Sequence, residues 1–160
     1  MFNRRILFVA ATVAALAGCA TTSSTPVSVA DTLAAQSRLS TLNSLVAKAG
    51  LTDTLKGTGP YTVFAPTNEA FAKVPAKTMD ELGKNPAKLK ALLTYHVLPG
   101  TVMAASVKNG NSKTVNGANV ALSRAGEFVT VEDALVQTPD IVATNGVVHV
   151  IDSVLIPPAK

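Results

Sequence analysis

From Lys113 onward the chain is divided into short runs rich in β-branched residues, separated by residues that favour turns. The runs are Lys113 to Val115, Val120 to Leu122, Phe128 to Val131, Ile141 to Ala143 and Val147 to Ile156, and each reads as a strand. Asn116-Gly117 and Asn145-Gly146 are tight-turn signals, because Asn and Gly both tolerate positive φ. The first half is different. Leu39, Leu42, Leu45, Val46 and Ala49 recur at helical spacing before Gly50, predicting a helix across Leu39 to Ala49, with a further helix over Val29 to Ser37. Gly57-Thr58-Gly59-Pro60 breaks the chain, and Tyr61 to Ala65 suits a strand with Tyr61, Val63 and Ala65 on one face. Pro66-Thr67 ends that strand. Thr67 is placed to cap a short helix with Glu69 in its first turn, and Phe71 and Val74 point to a core. Asn85-Pro86 opens another helix, which Leu89, Leu92, Leu93 and His96 carry to about His96. Helices first, strands after, and one strand contributed early make an α+β pattern.

The first residues read as an address. Arg4 and Arg5 precede a run from Ile6 to Ala17 that is apolar or small except for Thr12, and Leu16-Ala17-Gly18-Cys19 closes it. A membrane span needs about 20 apolar residues, so this run is expected to be a cleaved signal, residues 1–18. Leu-Ala-Gly-Cys resembles the lipobox of bacterial lipoproteins, which implies lipidation of Cys19 and cleavage just before it. Cys19 is the only cysteine, so no internal disulfide can form, and once lipidated it leaves no thiol for metal or nucleophile chemistry. Ala20 follows it, not the aspartate that resembles an inner-membrane retention signal, which points to the outer membrane. Residues 19–28, rich in Ser and Thr, form the expected tether; the eight from Ala20 to Val27 reach at most about 25 to 30 Å. Residues 29–157 form the expected domain and 158–160 a tail.

Composition narrows the classes further. With 48% hydrophobic and 15% charged residues in 160, the chain is neither disordered nor a disulfide scaffold, and one ordinary core is expected. Half of the net charge of +4 corresponds to Arg4 and Arg5, so the remainder is nearly neutral and carries no nucleic-acid footprint.

Three segments carry a family resemblance: Gly59 to Phe71 (GPYTVFAPTNEAF), Tyr95 to Gly100 (YHVLPG) and Asn145 to Pro157 (NGVVHVIDSVLIP). They resemble the two signature boxes and the intervening Tyr-His motif of the fasciclin domain, and the likeness covers roughly Val29 to Pro157. It implies a wedge of two β-sheets with N-terminal and intervening helices packed at one side. Phe64, Pro66, Thr67, Phe71, Asn145, Gly146, His149 and Asp152 are then signature positions, read mostly as maintaining the fold. Members are mostly secreted or membrane-anchored adhesion and matrix-interaction proteins. The Tyr-His motif is linked in the family to receptor binding, which makes Tyr95 and His96 candidate partner-binding residues; the alternative is that Tyr95 packs at a helix end and His96 meets its last carbonyls.

The residues themselves assemble no obvious chemistry. In a strand, alternation puts Val148 and Val150 on one face and Val147, His149 and Ile151 on the other, so the strand is expected to lie centrally. His149 and Asp152, three apart, then face opposite ways, and no Gly-x-Ser-x-Gly elbow exists. Two histidines without ligand spacing, no Asp-x-Asp-x-Asp-Gly run, and a Gly57-x-Gly59 that leads into a strand argue against zinc, calcium and phosphate sites. The expected protein is a non-catalytic, cofactor-free envelope lipoprotein that contacts an unknown protein or polysaccharide at the surface or matrix. The alternative is a carrier of a small apolar ligand, such as a pigment, between sheet and helices.

Overall fold

The computed structural model describes residues 27–157. The expected signal at 1–18, Cys19, the expected tether as far as residue 26 and the expected tail at 158–160 lie outside the described residues. Helices α1 (Val29–Ala35), α2 (Ser40–Lys48) and α3 (Thr52–Lys56) lead into strand β1 (Tyr61–Pro66). Three more follow, α4 (Asn68–Lys73), α5 (Ala76–Lys84) and α6 (Pro86–Tyr95). The strands come next: β2 (Val97–Pro99), β3 (Gly110–Lys113), β4 (Asn119–Ala125), β5 (Phe128–Val131), β6 (Ala134–Ala143) and β7 (Gly146–Ile151).

Local chemistry sets the helix ends. The Ser28 side chain accepts from the Asp31 N–H at the start of α1. The Thr67 hydroxyl accepts from the Ala70 N–H at 3.2 Å, and the Asn85 side-chain oxygen Oδ1 accepts from the N–H groups of Ala87 and Lys88 at the start of α6. Gly50, at φ 65°, lets the chain turn out of α2 while the Leu51 N–H bonds back to the Val46 carbonyl.

The strands run in the order β2-β1-β7-β6-β5-β4-β3. Every neighbouring pair is antiparallel except β1 with β7, which run parallel from Tyr61 opposite Gly146 to Pro66 opposite Ile151. Strand β6 belongs to both halves of the wedge. Its first two residues pair with β5, the rest with β7, and register shifts on either side of Thr138 bend it between the two. Each half therefore presents its own apolar face. Val63, Ala65, Val148 and Val150 pack with the leucines of α1, α2 and α6, whereas Phe64 and Ile151 pack with Val120, Leu122, Val129 and Val131 between the sheets. Strand β7 is buried along its whole length because it is central, which explains a run apolar on both faces.

Several elements differ from their expected extent. Helices α3 and α5 and strand β2 lie outside the elements the sequence pattern predicts; α5 buries only Leu82, so it lacks an apolar stripe. Strand β3 lies earlier than Lys113 to Val115, because both the N–H and the hydroxyl of Thr114 bond to the Ala118 carbonyl and close the turn there. Val115 instead donates to the Val97 carbonyl of β2. Strand β6 is ten residues long, not three; its polar stretch and Pro139 hide it from pattern reading. Strand β7 ends at Ile151, and Val74 is only partly buried.

The largest correction concerns Asn145-Gly146. The β6–β7 turn is Thr144-Asn145, Gly146 is already paired in the strand, and none of the three has positive φ. Gly146 is needed for proximity: a Cβ there would collide with the Tyr61 carbonyl oxygen. Gly146→Ala should therefore lower stability by about 3 kcal/mol or more in urea unfolding, since backbone and not a flexible side chain blocks it. Gly83→Ala, in α5 with nothing within 4 Å of its Cβ, should be neutral or stabilising by up to about 1 kcal/mol. Equal midpoints for the two variants would refute this account of the junction.

Candidate functional site

Asn145 anchors the start of the central strand through its side-chain oxygen, its side-chain amide and its main-chain carbonyl. Its side-chain oxygen accepts from the Val29 N–H at 2.8 Å, and its amide donates to the carbonyls of Leu55 and Gly57, both at 2.7 Å. Its main-chain carbonyl accepts from the Tyr61 N–H at 3.0 Å. One residue thus ties α1, the end of α3, the lead-in to β1 and β7 together.

His149 lies further along β7, 2% exposed, stacked on Phe64 with ring centroids 5.6 Å apart. Its Nδ1 accepts from the Asp140 N–H at 3.1 Å, and its Nε2 donates to the Val102 carbonyl at 2.7 Å. That assigns the neutral Nε2–H tautomer. Burial pushes its pKa below the usual histidine value; the Val102 bond and the Asp140 carboxylate, 4.0 Å away, oppose that less strongly. Asp140 sits at φ 55° in the bent part of β6, and its carboxylate accepts from the Ala104 N–H at 2.8 Å. With Thr62, whose hydroxyl donates to the Gly100 carbonyl and accepts from the Val102 N–H, these two residues pin the chain after β2 against the wedge.

His96 is the mirror case. It caps the C-terminus of α6, 1% exposed, with Nδ1 donating to the Leu92 carbonyl at 2.8 Å and Nε2 accepting from the Leu155 N–H at 3.0 Å. It is the neutral Nδ1–H tautomer, and burial lowers its pKa from 6.5 to about 4. Tyr95 is 2% exposed; its hydroxyl faces the Asn119 carbonyl at 3.0 Å and Glu132 Oε1 at 3.2 Å, and burial together with that carboxylate raises its pKa. Both members of the Tyr-His pair are therefore inside the protein, where they can act on a partner only by holding surface in place.

The remaining signature residues hold backbone. The Asp152 carboxylate accepts from the Leu135 N–H at 2.9 Å while its own N–H donates to the Leu135 carbonyl, well apart from His149's partners. The N–H of Thr67 bonds to the Ile151 carbonyl, Pro66 ends β1 beside Ile151, and Phe71 is buried under α4. No three His, Cys, Asp or Glu side chains gather at ligand spacing among the described residues. Sequence reasoning missed Asp140 and Glu132. Glu132, at φ 53°, lies in the two-residue β5–β6 turn and also accepts from the Ala121 N–H at 2.8 Å. An acidic pair between Val131 and Ala134 signals a turn; nothing in the sequence signals its reach to Tyr95.

The family profile of the Fasciclin domain matches residues 37–157. The chain belongs to the fasciclin domain family. It is 42% identical over 132 residues to protein sll1483 of Synechocystis, a match covering 81% of this chain and 73% of that protein. It is 39% identical over 127 residues to the cell surface glycolipoprotein MPB83 of Mycobacterium bovis, covering 76% of this chain and 57% of MPB83. The solved structure of a FAS1 domain pair from the insect cell adhesion molecule fasciclin I superposes with a TM-score of 0.63 at 18% identity, covering 84% of this chain and 51% of that one. The chain thus spans just over half of MPB83 and about half of the insect pair, as a single fasciclin domain does. Fasciclin-family proteins are generally non-catalytic proteins of the adhesion type.

The space between helices and sheet is nearly filled. The cavity there, lined by Leu33, Leu42, Val46, Tyr61 and Val97 among others, measures about 30 Å³. Small-ligand sites occupy about 300 to 1,000 Å³, so no pigment-sized molecule fits where a carrier would hold it.

The histidines also fix how stability responds to acid. Between about pH 6.5 and about pH 4 the unfolded chain protonates His96 and the folded chain does not, so stability rises with pH across that window and is lost on acidification. His149 acts in the same direction. His96→Gln, which cannot ionise, should flatten the fall of the urea midpoint between pH 6.5 and 4; an unchanged slope would show that His96 does not stay neutral in the fold.

Proposed function

We propose that this chain is an envelope lipoprotein, anchored through Cys19 at the outer membrane, whose fasciclin domain contacts another protein or a polysaccharide at the cell surface or in the matrix. The observation that carries the reading is how the side chains suited to chemistry are used: His96, His149 and Asp152 are engaged by main-chain groups, which leaves surface contact as the domain's means of action. The lipobox-like Leu16-Ala17-Gly18-Cys19 supports the anchor, and a relative called a cell surface glycolipoprotein agrees with it.

The Tyr-His pair supports one end of the wedge as the contact. His96 accepts the N–H of Leu155, and the next residue, Ile156, is 62% exposed between two hollows of about 510 and 390 Å³. Leu92, Ala91 and Ala118 line the first; Tyr95 lies at the base of the second with Glu132 and Asp133 at its rim. On this reading Tyr95 and His96 are positioning residues and Ile156 is the side chain a partner meets. The cavity between helices and sheet, about 30 Å³, is too small for the carrier reading.

The test is binding of Ala20–Lys160 to intact cells of its own species, to their extracted matrix and to host cells. Saturable binding that Ile156→Asp weakens at least about tenfold is expected, as for a side chain central to an interface. Binding untouched by that variant would remove this end as the contact, and no saturable binding anywhere would remove the adhesive reading. In cells, Cys19→Ser should release the protein from membranes without altering the fold of the domain; retained, detergent-resistant attachment would overturn the anchor.

A further inference from the structure

The directions of the seven strands sort their connections into two ends. β1, β3, β5 and β7 start, and β2, β4 and β6 finish, at the end that carries 57–60, 100–109, 126–127 and 144–145. The opposite end carries 115–118, 132–133 and the segment after Ile151 with Ile156. The chain enters the domain at the first of these, because both the N–H and the hydroxyl of Thr144 bond to the Val27 carbonyl. That same end holds the two most exposed large apolar side chains among the described residues, Val142 at 69% beside the β6–β7 turn and Phe128 at 67% beside the β4–β5 turn.

We infer that this end is a membrane-docking face, which rests on the bilayer into which Cys19 is anchored; the inference depends on the Cys19 anchor proposed above. Chain length decides which end can reach. The eight residues from Ala20 to Val27 span at most about 25 to 30 Å, whereas a domain of this size is about 36 Å across, so the Ile156 end cannot turn down to the same bilayer on that tether. Val142 and Phe128 can. Each is too small to hold a free protein on a membrane, but a short tether raises the local concentration of the face at the surface, so that weak apolar contacts are made. Lys108 lines a shallow hollow at the β4–β5 turn and suits an anionic headgroup, whereas the Arg124 guanidinium beside it donates to the Gly126 and Ala105 carbonyls; Glu127 in the turn offsets part of that attraction, which leaves the apolar side chains as the main contact. The arrangement leaves the Ile156 end pointing away from the membrane, toward whatever the domain meets.

The chain contains no Trp and one Cys, which makes the test direct. The protein from Cys19 to Lys160 is coupled through its thiol to a maleimide lipid in vesicles of phosphatidylethanolamine and phosphatidylglycerol; both apolar cores lie within the described residues it retains. Single reporters are introduced as Val142→Trp, Phe128→Trp and, at the other end, Ile156→Trp, all at exposed positions. The expected result is a blue shift and loss of iodide quenching for the first two on coupling, with Ile156→Trp unchanged, and abolition of the Phe128→Trp shift by Val142→Glu. Equal quenching of all three before and after coupling would overturn the inference, as would protection of Ile156→Trp. The same shift without vesicles, growing with protein concentration, would assign the face to a second copy instead. Because the thiol is coupled chemically, the result stands apart from whether cells lipidate Cys19: release failing in Cys19→Ser cells would sink the anchor, and unshifted spectra would sink the docking face.

Discussion

The parallel pairing of β1 with β7 is the contact on which the rest of the domain depends. It joins residues more than eighty positions apart, so it must outweigh the closing of a long loop, and it creates the only strand among the described residues that is buried on both faces along its whole length. Its start is secured by main-chain proximity at Gly146 and by Asn145, which pairs four main-chain groups at once, those of Val29, Leu55, Gly57 and Tyr61. Buried main-chain groups left without partners are costly, so one residue that meets four of them, three through its side-chain amide and one through its own carbonyl, also sets where the helices lie relative to the sheet.

The two buried histidines extend the same logic. Each is neutral, each bridges a carbonyl on one side and an N–H on the other, and the two use opposite tautomers because their donors and acceptors are reversed. A side chain so engaged is a poor base, since protonating it would cost a structural hydrogen bond inside the core. The described domain therefore has two dissimilar ends: one beside Val27, with the exposed Val142 and Phe128, and one over the buried Tyr95 and His96, with the exposed Ile156.

Much of this was legible where local chemistry dominates. Thr67, Asn85 and Gly50 mark helix ends because their effects are confined to one turn, and Val63 with Ala65, or Val148 with Val150, declare a shared face by alternation alone. The wedge was legible only through resemblance. The bend of β6 was not, because its polar, proline-containing middle breaks the alternation on which strand reading relies. Tyr95 and His96 were legible as a motif, but their burial depends on Asn119, Glu132 and Leu155, which arrive from distant parts of the chain.

Sequence alone determined that the chain is α+β and belongs with fasciclin domains, because these follow from periodicity, local turn and cap chemistry, and contiguous motifs. Only the tertiary structure decided why Gly146 must be glycine, which nitrogen of each histidine holds the proton, and which exposed side chains share an end of the wedge. Those depend on distances between segments remote in sequence, and no local pattern encodes a distance across the fold.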